Sequence, residues 1–125
     1  MTPATRAAVE RARARLDTLD LYPRPVRIAG VRVLVAPLLF RLPWFRSFDG
    51  YATHLAIFLR RPVVDDEQDD LVTHELCHVW QMQHRPLAMP LSYLLRGYAR
   101  NPYEAEARRA ADETRDAVRR APELA

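Results

Sequence analysis

Two periods of apolar residues divide the chain into helices and strands. Over residues 5–19, Val9, Ala12, Leu16 and Leu19 recur at spacings of three and four among arginines and acids, which predicts a helix with one narrow apolar stripe. Pro23 and Pro25 end it, because proline cannot continue a helix. Residues 26–35 then follow a period of two, with Val31, Val33 and Val35 set against Arg32 and Leu34. That pattern predicts one strand, or two short ones meeting at Gly30. Residues 37–48 form an apolar loop or short helix, and Asp49-Gly50 signals a turn before a second β-like run over residues 51–59,. Such a strand, ahead of the next helix, could offer a free backbone edge to an extended peptide; an ordinary core strand is the alternative.

A second helix is expected over residues 67–83, opened by the acidic run from Asp65 to Asp70, where the helix dipole favours negative charge. Val72, Leu76 and Val79 fall at core spacing on it, while Leu71, His74, His78 and Gln81 make another stripe, away from the deepest core,. After Arg85-Pro86 and Pro90, residues 91–100 predict a short apolar helix ending near Gly97,. Asn101-Pro102 opens a last helix to about residue 120, with a capping side chain followed by a proline suited to the first turn. Helices around a few short strands predict a single α+β domain over residues 1–125.

Composition narrows the partners. With 125 residues and 49% hydrophobic content there is material for one modest core,. The formal charge is +3, and its 19 basic residues, all arginine, are scattered and offset by 16 acids. Solvated helix faces explain this better than a polyanion site, so no nucleic acid is expected as a partner. The arginine bias reads as bacterial codon usage. Cys77 is the single cysteine, so no internal disulfide forms,. No apolar export signal is visible in residues 1–21, which makes the cytoplasm the expected compartment,. Residues 31–48 are too interrupted by arginine and proline for a transmembrane span,. Leu38, Leu39, Phe40, Trp44 and Phe45 therefore cover the core, wall a cleft, or make a peripheral contact with a membrane,.

The chemistry lies in Thr73-His74-Glu75-Leu76-Cys77-His78. Histidines four apart share one side of a helix, so His74 and His78 can hold one ion while Glu75, at the edge of that face, reaches a metal-bound water. This is the His-Glu-x-x-His pattern of a zinc hydrolase. Catalytic zinc usually takes three protein ligands, and the last helix offers Glu104, with Glu106 as the fallback. Glu104 could instead bond back to the helix start as a capping acid after Asn101.

Here the chain resembles the Glu-zincins, the thermolysin-like metallopeptidases, in which a glutamate on a later helix follows the histidine helix. It looks most like small bacterial members whose second motif reads Glu-x-x-Ala-Asp. Glu104 and Ala107 match that motif, and Arg108 stands where the aspartate would be. The likeness covers residues 71–111. It implies an α+β zincin-like fold, Zn2+ bound by His74, His78 and Glu104, Glu75 as the general base, and a peptide or protein substrate. In such families the aspartate orients a ligand histidine, a task for which Asp112 is the nearest substitute. Tyr98, Tyr103 and Arg108 are the candidates for stabilising an oxyanion. Peptide deformylase shares the pattern but needs an upstream cysteine ligand, and Cys77 is the only cysteine. Two other classes compete: a zinc-binding regulatory or partner-binding module without proteolysis, and a basic nucleic-acid or membrane-surface protein in which the motif is accidental.

Overall fold

The computed structural model describes residues 1–116, which form four helices and a three-stranded mixed sheet. Helix α1 (Pro3–Leu16) begins at Thr2, whose hydroxyl caps the Thr5 amide at 3.1 Å. Its stripe of Val9, Ala12 and Leu16 is buried as the spacing predicts, with Leu19 partly buried against the same core, and Ala8 is buried beside it. Arg15 is buried as well, contrary to a purely apolar inner face. Its guanidinium bonds the Thr114 hydroxyl, the Ala111 carbonyl and Asp70, which satisfies the charge across three helices,.

Strand β1 is only Arg32–Val35, shorter than residues 26–35, because a turn closed by Val31 N–H to the Ile28 carbonyl, with Gly30 at φ 82°, bends the chain just before it. The run over residues 51–59 splits into β2 (Gly50–Ala52) and β3 (Ala56–Leu59). Thr53 makes the break: its amide donates to the Ala56 carbonyl at 2.7 Å, and its hydroxyl accepts from the Ala56 amide. The order is β1-β3-β2, with β1 parallel and β2 antiparallel to β3. A 3-10 turn, Leu39–Arg41, buries Phe40 in the intervening segment.

Helix α2 (Asp69–His84) crosses this sheet and packs between α1 and α4 (Pro102–Glu113). Its Val72, Leu76 and Val79 enter the core as expected. The second stripe does not face away from the interior, however: His78 and Gln81 are buried because α4 covers that side. Trp80 lies in the core, donating to the Arg24 carbonyl at 2.7 Å and meeting Tyr22 edge to face. Helix α3 (Ala88–Arg96) starts earlier than predicted but stops at Gly97 as expected, where a φ of 74° favours glycine,. Helix α4 is capped by Asn101, which accepts from the Tyr103 amide at 2.8 Å. It ends at Glu113; the expected continuation through residue 120 lies partly outside the described residues.

Candidate metal centre

Two elements supply the donors. On α2, the four-residue spacing brings His74 and His78 edge to face so that their Nε2 atoms lie 3.2 Å apart,. From α4, the Glu104 carboxylate reaches across, with Oε1 2.7 Å from His74 Nε2 and Oε2 2.9 Å from His78 Nε2. One ligand atom from each lies within 4.8 Å of the others, so the cluster could hold a metal ion. The donor set fits such an ion. Two nitrogens each about 2.0–2.1 Å from a tetrahedral centre stand about 3.4 Å apart, close to the spacing observed. The carboxylate need retreat only by about half an ångström to match. Glu104 is therefore not a capping acid: Asn101 caps the helix, and Glu104 is 1% exposed among the histidines.

Gln81 fixes the tautomer of His78. Its Nε2 donates to the Tyr103 carbonyl at 2.8 Å and to Glu106 Oε1 at 3.1 Å, so its Oε1 must face His78 Nδ1, 2.8 Å away. An acceptor there keeps the proton on Nδ1 and directs Nε2 at the centre. Glu106 points away from the histidines, as its position predicts, and takes a further hydrogen bond from the Tyr22 hydroxyl at 2.6 Å. Support for His78 thus comes from Gln81. Asp112 pairs with Arg115 at 3.0 Å instead, and Arg108 lies 3.7 Å from Glu104 and over the Tyr98 ring. Spacing alone carried a signal for Gln81, three residues past His78 on the same helix, but its acceptors sit on another helix.

Two phenols complete the cluster. Tyr93 donates to Glu104 Oε2 and Tyr98 to Oε1, both at 2.9 Å. Burial and the adjacent carboxylate push both hydroxyls up, that of Tyr98 to about 12, so they remain donors at neutral pH,. Tyr98 was among the sequence candidates for a donor; Tyr93, on α3, was not. Tyr103 contributes its carbonyl to Gln81 and lines neither cavity beside the cluster.

Burial pushes the Glu104 carboxyl up, but hydrogen bonds from His74 and His78 outweigh it and hold the group well below the carboxylate range. For His78 burial pulls down, yet the Glu104 bond and the Glu75 charge leave it raised. Glu75 is raised chiefly by burial, against the pull of His78 and His74. Its side chain lines the junction of two cavities of about 450 and 220 Å3 that meet at the cluster. The larger carries Asp49, Asp70 and Arg108, and the smaller is walled by Met82, Met89 and Tyr93. At the same junction Gly50 lies so close that an added Cβ would stand 3.1 Å from Glu75 Cγ. Strand β2 therefore runs flush against the acid, and on its other side no strand is paired among the described residues.

The remaining histidines lie elsewhere. His54 is exposed in the turn between β2 and β3, 3.3 Å from the Pro86 carbonyl. His84 is half-buried, stacked on Tyr22. Cys77 is buried and free, and burial raises its thiol pKa. No helix among the described residues is long and apolar enough to cross a membrane. In comparisons with known proteins, no family model, no curated protein and no solved structure matches this chain.

Proposed function

We propose that this chain is a minimal zinc-dependent metallopeptidase with a zincin-like fold, as its resemblance to the Glu-zincins implies. One observation carries the reading: His74, His78 and Glu104 converge within 4.8 Å, beside a buried glutamate on the wall of an open cleft. Two imidazoles and a carboxylate with one position left for solvent is the donor set of a catalytic zinc rather than a closed structural one. Zinc bound there supplies Lewis acidity and lowers the pKa of a water from about 15.7 to about 7. Glu75 then takes a proton from the attacking water and delivers it to the leaving amine. Its raised pKa is the direction a base working near neutrality requires,.

Substrate is held by the chain on either side of Glu75. Gly50–Ala52 offers its free edge for strand pairing with an extended peptide,, which presents a carbonyl at the junction of the cavities. Tyr98 and Tyr93, which donate to Glu104 beside the cluster, are the nearest neutral donors that would serve the developing oxyanion,. The test is cleavage of a peptide library by wild type and Glu75→Gln. Removing the base should lower cleavage by about 10²–10⁴-fold with metal content unchanged. Undiminished cleavage by Glu75→Gln refutes the mechanism. Stoichiometric metal without cleavage of any peptide selects the non-proteolytic module instead.

A further inference from the structure

Helix α3 is turned inside out. Leu87, just before it, and Leu91, Leu94 and Leu95 within it recur at i, i+4, i+7 and i+8, the stripe a helix normally packs inward,. Here that stripe faces outward, with Leu87 80%, Leu94 81% and Leu95 75% exposed. Only Met89 of the helix is buried. Its inward side is polar, where Ser92 accepts from the Asn101 amide group and Tyr93 donates to Glu104. The segment before β2 shows the same inversion, with Leu38 70% and Trp44 77% exposed. Phe48 and Tyr98 join the two regions, their ring centroids 4.8 Å apart at the edge of the smaller cavity. Two apolar rims therefore flank one cleft.

Charge says what covers them. Neither residues 21–48 nor residues 76–103 contain a single acid, although the chain has 16. Arg41, Arg46, Arg96 and Arg100 are exposed within them, and among the described residues none has an acidic partner. Packing a second copy face to face on this surface would oppose arginine to arginine, which disfavours a symmetric dimer. An anionic bilayer satisfies both features at once. Leucines enter the boundary of headgroups and acyl chains, Trp44 sits at the level tryptophan prefers, and the guanidinium groups meet phosphates.

We propose that α3 and the segment of residues 37–48 form a docking surface for an anionic lipid bilayer. The surface uses none of His74, Glu75, His78 and Glu104, so it stands or falls apart from the peptidase reading. If that reading also holds, the cleft between the rims faces substrates at the membrane.

The experiment is cosedimentation of the full chain, with and without chelator, with vesicles of phosphatidylcholine alone or with about one third phosphatidylglycerol. Binding to the anionic vesicles should be at least about tenfold stronger, fall with added salt, and be unaffected by chelator. Leu94→Ser with Leu95→Ser, and separately Arg96→Ser with Arg100→Ser, should each weaken it by about tenfold. Thermal melts of these exposed variants should match wild type, and Trp44 emission should shift to the blue on binding. Absence of binding overturns the proposal, as does equal binding to both vesicle types. A dimer in sedimentation equilibrium that Leu94→Ser disperses, with no vesicle binding, assigns the surface to a second copy and overturns it too.

Discussion

Replacing Gln81 with leucine removes one polar link between the histidine helix and the glutamate helix and leaves His74, His78 and Glu104 in place. The side chain is fully buried and makes three hydrogen bonds, at 2.8, 2.8 and 3.1 Å. Leucine leaves the His78 Nδ1–H without a partner, whereas the Tyr103 carbonyl, inside α4, keeps its helical hydrogen bond, and Glu106 keeps the Tyr22 hydroxyl. Each buried group stranded in this way costs about 1–3 kcal/mol, offset by about 2 kcal/mol from burying the leucine. With one group stranded, the stability of the metal-free protein should change by no more than about 1 kcal/mol in either direction. Metal binding should suffer separately, because His78 is then free to carry its proton on Nε2. Losing such outer support typically weakens affinity by about 10–100-fold. Gln81→Glu separates the two effects: it restores an acceptor for Nδ1 but sets a carboxylate against Glu106 and the Tyr103 carbonyl. That variant should be no more stable than Gln81→Leu while keeping affinity within about tenfold of wild type. Competition against a chromophoric chelator reads affinity, and urea denaturation reads stability. Wild-type affinity in Gln81→Leu, or affinity lost only in proportion to stability in both variants, would refute the assignment.

Three further outcomes follow from the same geometry. Gly50→Ala puts a Cβ 3.1 Å from Glu75 Cγ and 3.2 Å from Leu71 Cδ1; pushing Glu75 aside should cost about 1 kcal/mol and about tenfold in cleavage at unchanged metal content, and unaltered cleavage contradicts the close approach. In the metal-free protein the raised pKa of His78 adds stability that is fully present below the ordinary imidazole pKa and lost as pH rises through the raised one,. An ion competes for the same Nε2, so affinity should rise by up to about tenfold per pH unit until His78 is deprotonated; a flat profile in calorimetric titrations from pH 5 to about 9 argues against a histidine site. Thr73 is fully buried and its hydroxyl has no partner, so Thr73→Val should raise the urea midpoint, by about 1 kcal/mol of stability; a loss would mean that the hydroxyl is bonded after all.

The site was more legible in the sequence than the sheet. His74, Glu75 and His78 are local, and helical periodicity fixes their mutual placement from spacing alone. Glu104 required knowing which face of α4 meets α2, which came from a family likeness rather than from periodicity. A period of two survives a hairpin turn, so residues 51–59 read as one run although Thr53 folds them into two strands. The stripes on α2 and α3 were visible, but a stripe does not say what covers it. On α2 the second stripe is sealed by α4, burying Gln81; on α3 the leucines stay outside. Tyr93 and Glu106 act through partners 11 and 84 positions away, respectively, beyond any local pattern.

The proposed site is a single ion held by His74, His78 and Glu104. It is tested most directly by the zinc content of the purified chain, measured by mass spectrometry for wild type, His78→Ala and Glu104→Ala. One zinc per wild-type chain is expected, with loss of most of it in both variants. Zinc absent from the wild type after incubation with the metal, or retained in full by Glu104→Ala, would contradict it.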